Sequence, residues 1–208
     1  MVDVGTLLTY TLVVLGLFLI PGPAVLLTLA RSMSGGPRVG IATGVGIATG
    51  DCIHTIMATF GLSAVLATSA VAFSLVKYAG ALYLIYLGIR SFLEKAESLD
   101  LPPARRVSTG QAFRQAILSE ALNPKTALFF LAFLPQFVHP ENGPAITQFA
   151  VLGAVFVAMS AAYTSLLAAC AGSFGGWLRR HPAVGRWQGK VVGTIYVSLG
   201  VRLALEEK

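Results

Sequence analysis

The side chains that could bind or carry charge lie in two otherwise apolar stretches. Asp51 is an acid near the middle of one long apolar run, and His54 follows at i+3, on the same face of a helix. A carboxylate in such surroundings is protonated or paired with a cation. The pattern predicts that Asp51 is a proton-coupling or ammonium-binding acid and that His54 relays protons. The alternatives are a structural ion pair of Asp51 with Lys125 or Lys77, and a hydrogen-bonded structural histidine.

Two proline motifs interrupt apolar runs, Pro21-Gly22-Pro23 and Asn123-Pro124-Lys125. Proline lacks a backbone N–H and clashes with the preceding turn, so each motif is expected to open a helix. Polar backbone exposed at bilayer depth must face protein or a water-filled cavity. We therefore predict that a substrate site is lined by Pro21, Gly22, Pro23, Asn123, Pro124 and Lys125, together with Asp51. The alternative is that the prolines only shape helix packing.

Lys125 adds a positive charge to the second motif. A lysine at the centre of a span costs about 2.5–3.5 kcal/mol on insertion scales. Together with the open helix N-terminus after Pro124, it could hold a substrate carboxylate. The alternative is that its side chain snorkels to the membrane interface.

The composition places these residues in a membrane protein. Of the 208 residues, 55% are hydrophobic and 12% are charged, and the mean hydropathy is +0.75. Soluble domains carry about 25% charged residues, and a chain this small cannot hide the difference in a core. An ordinary soluble enzyme, a disordered chain and a nucleic-acid binder are therefore excluded. Cys52 and Cys170 lie far apart and are interpreted as small hydrophobes, so we expect no metal site and no cofactor.

Apolar runs and polar turns predict an all-α, polytopic membrane protein that forms a single transmembrane domain over 1–208. A helix needs about 20 apolar residues to cross a bilayer. On this basis the six predicted spans are 4–30, 39–66, 70–91, 112–138, 146–173 and 188–205. The polar stretch at 93–110 is predicted to link two halves of three spans each.

The distribution of basic residues predicts the orientation. The net charge is +6, and most Lys and Arg residues lie in the loops after the first, third and fifth predicted spans. Cytoplasmic loops carry such an excess, so these loops, including the linker 93–110, are predicted to be cytoplasmic and both termini outside. No Lys or Arg precedes Arg31, which argues against a cleaved signal peptide.

The two halves, 1–92 and 111–208, resemble each other. With a one-residue gap, the third and sixth predicted spans are identical at six positions: Lys77 and Lys190, Gly80 and Gly193, Tyr83 and Tyr196, Leu87 and Leu199, Gly88 and Gly200, Arg90 and Arg202. The first and fourth spans each carry a proline motif. Because each half has an odd number of spans, the halves should be inverted relative to each other. Inverted repeats with paired broken helices are typical of secondary transporters, whose binding sites lie at the breaks.

Glycines recur through the second predicted span, at Gly40, Gly44, Gly46 and Gly50. The small-xxx-small pattern predicts close approach to another helix. We expect that helix to belong to the same chain; the alternative is the interface of a homodimer.

The ordered motifs resemble the LysE/RhtB family of amino-acid exporters, part of the LysE superfamily. They are Pro21-Gly22-Pro23, then Gly40 to Gly50 followed by Asp51 and His54, then Gly80-Ala-Leu-Tyr83-Leu-Ile-Tyr-Leu-Gly88, then Asn123-Pro124-Lys125-Thr-Ala with Phe-Leu-Pro135-Gln-Phe. The resemblance implies efflux of amino acids across the bacterial cytoplasmic (inner) membrane, driven by the proton gradient, and no enzymatic activity. It also identifies as signature residues Pro21, Gly22, Pro23, Asp51, Asn123, Pro124 and Lys125.

The resulting hypothesis is proton/amino-acid antiport by alternating access. Only Asp51 and Glu120 offer negative charge at depth, which favours small neutral substrates such as homoserine, threonine or leucine-like amino acids over lysine or arginine. A cation or metal-ion exporter of the same superfamily is the main alternative, but it would need several buried carboxylates or thiolates. A membrane-embedded enzyme would need clustered catalytic groups, and a redox protein paired cysteines.

Overall fold

The computed structural model describes residues 2–19, 22–68, 70–93, 107–180, 190, 193–198, 200–201 and 204–205. Within these ranges the regular elements are all helical, which confirms the all-α part of the predicted fold class. They are α1 (Val4–Leu19), α2 (Pro23–Gly35), α3 (Pro37–Met57), a π-helix (Ala58–Leu62), α4 (Ser63–Thr68), α5 (Ala70–Leu93), α6 (Thr109–Ala121), α7 (Pro124–Ala132), two 3₁₀ turns (Leu134–Phe137 and Pro140–Asn142) and α8 (Ala145–Arg180). Pro21, most of the predicted linker and much of the predicted sixth span lie outside the described residues.

The chain changes direction near both proline motifs. The axes of α1 and α2 differ by 57°, and those of α6 and the segment Pro124–Phe137 by 47°. Among the described residues, two helices are long and apolar enough to cross a membrane, Pro37–Val65 and Ala145–Ala171, and counting each bent pair as one span gives four. The six-span arrangement stays a prediction.

Local sequence explains where the helices begin and end. Gly36 separates α2 from α3 with a φ of +82° that favours glycine, and Pro37 then occupies the first turn of α3. Ser108 and Gln111 form a reciprocal capping box at the start of α6. Asn123 caps α7, and Pro124 is its first residue.

The largest buried core joins α1, α7, the first 3₁₀ turn and α8. Its bulk is aromatic: Tyr10 lies edge-on to Phe137 with ring centroids 5.1 Å apart, and Phe129 lies 5.3 Å from both Phe133 and Phe156. This core packs α1 against α7 and α8.

Helix α3 packs against α6 on one side and α8 on the other, and glycines permit both contacts. A Cβ added to Gly46 would lie 2.5 Å from the Phe113 carbonyl oxygen of α6, and one added to Gly44 would lie 2.7 Å from Thr164 Oγ1 of α8. The glycine pattern therefore serves packing within the chain, as the sequence predicted. A homodimer stays a prediction.

Replacing Gly46 with leucine is expected to destabilise the fold, because the new side chain would collide with backbone atoms of α6. Overpacking typically costs about 1–3 kcal/mol. The expected result is a lower midpoint of thermal unfolding in detergent and a smaller fraction of monodisperse protein. Gly110→Leu is the matched control, since an added Cβ there meets no atom within 4 Å. Equal losses in both variants would contradict this account of the glycines.

The contacts between α3 and α8 repeat when the two helices are exchanged. Gly44 of α3 packs on Thr164 of α8, while Gly153 of α8 packs on Thr55 of α3. Both threonine hydroxyls donate to the carbonyl four residues earlier, at 3.0 Å for Thr55 and 2.7 Å for Thr164. Equivalent residues on the two helices are 109 positions apart. The two helices thus pack with an approximate two-fold relation.

A similar exchange joins α5 to the described C-terminal residues. A Cβ on Gly88 would lie 2.8 Å from the Gly193 carbonyl oxygen, and one on Gly200 would lie 2.8 Å from the Ala81 carbonyl oxygen. Gly88 and Gly200 are matched in the sequence repeat, as are Gly80 and Gly193. Gly88, Gly193 and Gly200 therefore lie at the contact of these two segments, whereas Gly80 packs against Ala132 of α7.

Candidate functional site

A cavity of about 40 Å³ lies between residues of both proline motifs, α3 and α8. This volume holds about three water molecules. Its lining combines residues from both halves of the chain: Leu17, Phe18, Gly22, Ala24, Val25, Ile47, Asp51, Glu120, Asn123, Lys125, Thr126, Phe156, Ser160, Tyr163 and Thr164.

The structure brings together part of the predicted site. Gly22, Asp51, Asn123 and Lys125 all line the cavity, although they come from three separate places, the start of α2, the middle of α3 and the start of α7. Pro23, Pro124 and His54 are not among the lining residues, and Pro21 lies outside the described residues. The two prolines are exposed at the starts of α2 and α7.

Glu120 is the most highly coordinated acid of the site. Asn123 Nδ2 donates to both of its carboxylate oxygens at 3.1 Å, and Thr126 Oγ1 donates to Oε1 at 2.5 Å. Only 3% of Glu120 is exposed, and its carboxyl group neighbours that of Asp51. From the sequence, only the negative charge of Glu120 was predicted to matter. Its spacing to Asn123 and Thr126 around a proline was the signal that could have placed it in the site.

Asp51 is held by a serine of the opposite half. Ser160 Oγ donates to Asp51 Oδ2 at 2.5 Å, and both residues are buried. Their separation is the same 109 positions that relate the matched glycines and threonines of α3 and α8. Asp51 and Ser160 are therefore equivalent positions that meet at the approximate two-fold axis. Ser160, Tyr163 and Thr164 were missed by sequence reasoning, although their i, i+3, i+4 spacing marks a polar stripe on one face of α8.

Lys125 connects the second break to the first. Its Nζ donates to the Leu17 carbonyl oxygen at 3.1 Å, near the end of α1. Residue 21 is a proline, so the Leu17 carbonyl lacks the backbone donor that an uninterrupted helix supplies four residues later. The Lys125 ammonium group occupies that place.

The N-termini of α2 and α7 differ in their caps. Asn123 Oδ1 accepts a hydrogen bond from the Lys125 backbone N–H at 3.0 Å, so α7 is capped by a side chain. At α2 the N-cap residue is Gly22, which offers no side chain, and Gly22, Ala24 and Val25 line the cavity. The open helix N-terminus predicted after Pro124 is therefore capped, whereas the one after Gly22 faces the cavity without a side-chain cap.

The family model for the LysE type translocator matches residues 15–207 of the chain. The chain belongs to the LysE family. The match includes both proline breaks and every described residue that lines the cavity, and it confirms the resemblance drawn from the motifs. A translocator family is consistent with a protein that is not an enzyme.

Curated relatives of this LysE-family chain cover nearly its full length. An uncharacterized membrane protein of Pseudomonas aeruginosa is 33% identical over 201 residues, which is 94% of this chain and 93% of the relative. The uncharacterized membrane protein YrhP of Bacillus subtilis is 31% identical, over 96% of this chain and 99% of its own. A homoserine/homoserine lactone efflux protein of Salmonella typhimurium is 33% identical, over 95% of this chain and 93% of its own. No solved structure matches the chain.

His54 of this LysE-family chain does not line the cavity but contacts the backbone of Glu120, which does. Its Nε2 lies 2.8 Å from the Glu120 carbonyl oxygen, and because a carbonyl only accepts, Nε2 carries the proton. The ring packs beside Phe130 with centroids 5.8 Å apart. His54 thus contacts the main chain of Glu120, whereas Asp51, one turn earlier on α3, adjoins the Glu120 side chain.

Proposed function

We propose that this LysE-family chain exports small neutral amino acids from the bacterial cytoplasm in exchange for protons. The observation that carries the proposal is the charge pattern of the cavity: two neighbouring acids, Asp51 and Glu120, and one lysine, Lys125, line the same small space. A zwitterionic amino acid carries one group of each sign, so its ammonium and carboxylate groups match this pattern.

The carboxylate half of the site is formed by Lys125 and the start of α2. A helix N-terminus presents backbone N–H groups and a partial positive charge. Because Gly22 provides no side-chain cap, these groups are available to a ligand in the cavity. A substrate carboxylate would accept hydrogen bonds from this helix end and from the Lys125 ammonium, as in transporters whose broken helices bind anionic groups.

The ammonium half of the site is formed by Asp51 with Glu120 beside it. Two ionised carboxyl groups side by side repel each other, so a proton or a substrate ammonium is favoured between them. Asn123 and Thr126 fix Glu120 in place, which leaves Asp51 as the acid that exchanges a proton for substrate. Competition of proton and substrate for one acid makes transport an obligatory exchange.

The lining of the cavity supports a small, uncharged substrate side chain. Beyond the polar groups the lining is apolar, with Leu17, Phe18, Ile47 and Phe156 among it. Among the described residues that line the cavity, none offers a further acid for the side chain of lysine or arginine. A relative of similar length is named as a homoserine/homoserine lactone efflux protein, and homoserine fits the proposed class. The Lys125 charge beside the acids also disfavours a metal cation as cargo.

The two-fold contacts between α3 and α8 support alternating access. If the halves 1–92 and 111–208 are inverted repeats, exchanging their conformations would open the cavity to the other side of the membrane. Asp51 and Ser160, at the axis, would stay between the halves in both states. We place the protein in the inner membrane as a multi-pass protein of six spans, with basic loops in the cytoplasm and both termini outside.

The proposal is tested with purified protein in liposomes preloaded with labelled homoserine, threonine, leucine or lysine at neutral pH. An acidic external buffer is expected to accelerate efflux of the neutral amino acids and to leave lysine inside. A protonophore, which collapses the gradient, should remove the acceleration, and protein-free liposomes are the control. An efflux rate that does not change with the pH gradient, or transport of metal ions without amino acids, would overturn the proposal.

A further inference from the structure

At the second proline motif, a backbone carbonyl without its usual helical donor accepts a hydrogen bond from a side chain of another helix. In a continuous helix, the Glu120 carbonyl would accept from the N–H of residue 124, but Pro124 has none. The Asn123 N–H reaches this oxygen at 2.9 Å, and His54 Nε2 donates to it at 2.8 Å. A backbone acceptor freed by proline thus receives a donor from α3.

The first break uses the same device. The Leu17 carbonyl stands four residues before Pro21, and its donor is the Lys125 ammonium group. At each break, a side chain from another helix therefore donates to the carbonyl four residues before the proline. His54 performs for the second break what Lys125 performs for the first.

Helix α3 holds Glu120 at three points. Gly50 allows contact with Glu120 Cβ, since an added Cβ would lie 2.6 Å from it. The Asp51 carboxyl adjoins the Glu120 carboxyl, and His54 donates to the Glu120 carbonyl. Gly50, Asp51 and His54 span little more than one turn of α3, so the two acids keep a fixed relative position only while the end of α6 stays against this turn.

We propose that His54 is a positioning residue, whose Nε2–H fixes the end of α6 to α3 and so sets Glu120 beside Asp51. A carbonyl oxygen does not take up a proton, so relaying a proton through Nε2 would require breaking this hydrogen bond. The inference deepens the proposed function, because the two acids are the ammonium and proton site. It assigns His54 a constant donor role in place of the predicted proton relay.

The test compares His54→Gln with His54→Leu. A glutamine side chain can place its Nε2–H near that of histidine but does not titrate, whereas leucine offers no donor. Efflux kinetics from liposomes give KM and the pH profile, and hydrogen exchange of the peptide covering the second break reports its local order without any substrate. His139→Gln is the matched control, because His139 lies in a loop beside the exposed Glu141.

We expect His54→Leu to raise the KM for a neutral amino acid about tenfold, which corresponds to the loss of one hydrogen bond of about 1.4 kcal/mol. We also expect it to accelerate hydrogen exchange of the peptide that covers the second break. The KM of His54→Gln should stay within about twofold of the wild-type value, with an unchanged pH profile of efflux and unchanged hydrogen exchange. Loss of gradient-driven transport in His54→Gln with normal exchange would establish the relay instead. Unchanged exchange and KM in His54→Leu would also overturn the proposal. Absence of transport in the wild type would refute the proposed function alone. Hydrogen exchange needs no substrate, so it would still test whether His54 fixes the end of α6 to α3.

Discussion

An Asp51→Asn protein is expected to bind and exchange substrate poorly and to show no acceleration of efflux by a pH gradient. The amide cannot take up or release a proton, and it cannot pair with a substrate ammonium as an anion. Ser160 can still hydrogen-bond the amide oxygen, so the packing of α3 on α8 should survive. The measurement is efflux of labelled homoserine from liposomes with and without an acidic external buffer, together with the thermal midpoint in detergent.

Asp3→Asn is the matched control for this substitution. Asp3 precedes α1, is exposed, and accepts hydrogen bonds from the Thr6 hydroxyl at 2.6 Å and the Thr6 N–H at 2.9 Å, which lower its pKa. It lies outside the cavity, so its loss should leave gradient-driven efflux intact. Full gradient-driven efflux in Asp51→Asn would remove Asp51 from the exchange. A collapse of the thermal midpoint in that variant would show that the carboxylate is structural.

A second variant tests whether the acid or its exact position in the sequence matters. Asp51 and Ser160 are equivalent positions that contact each other across the approximate two-fold axis. The exchanged pair, Asp51→Ser with Ser160→Asp, would place the carboxylate on α8 and the hydroxyl on α3. Gradient-driven efflux should therefore recover in the double variant relative to Asp51→Ser alone. The absence of any recovery would mean that the acid must stay next to Glu120 on α3.

The sequence predicted the local features of this site because they depend on residue chemistry alone. Proline breaks a helix wherever it occurs inside one, and charged residues in apolar runs mark function in a membrane protein. Gly22, Asp51, Asn123 and Lys125 were identified in this way, and they share one cavity. The asparagine cap of α7 was also within reach, since Asn before a proline at the first helical position is a common N-cap.

The remaining parts of the site depend on tertiary packing that no single segment encodes. Ser160 matters because Gly44 and Gly153 bring α3 and α8 close enough for it to reach Asp51. Glu120 is central because α6 ends against α3, which requires the glycine at position 50. His54 looked like a proton relay from its i+3 spacing to Asp51, yet its Nε2 faces a backbone carbonyl of another helix. Spacing along one helix gives the face of a side chain but not its partner.

Lys125→Gln is expected to discriminate between homoserine and its lactone. Glutamine keeps an N–H that can donate to the Leu17 carbonyl but removes the positive charge, so the tie between the two breaks is preserved while the proposed carboxylate partner is lost. Homoserine has a carboxylate, whereas the lactone, a cyclic ester, has none and keeps its ammonium group. Lys77→Gln, on α5, is the control because Lys77 does not line the cavity.

Homoserine should lose about tenfold to hundredfold in apparent affinity in Lys125→Gln, since hydrogen bonds to charged groups contribute about 1.5–3 kcal/mol. Efflux of the lactone should change by less than about threefold, because its cyclic ester presents no negative charge for Lys125 to bind. Measuring both compounds in the same liposomes separates a lost carboxylate contact from a general loss of fold, which would affect them equally. An equal loss for both compounds would assign Lys125 to the structure of the breaks, and no loss for either would leave the α2 N-terminus as the carboxylate site. The selective loss is the outcome that ties the charge pattern of the cavity to a zwitterionic substrate.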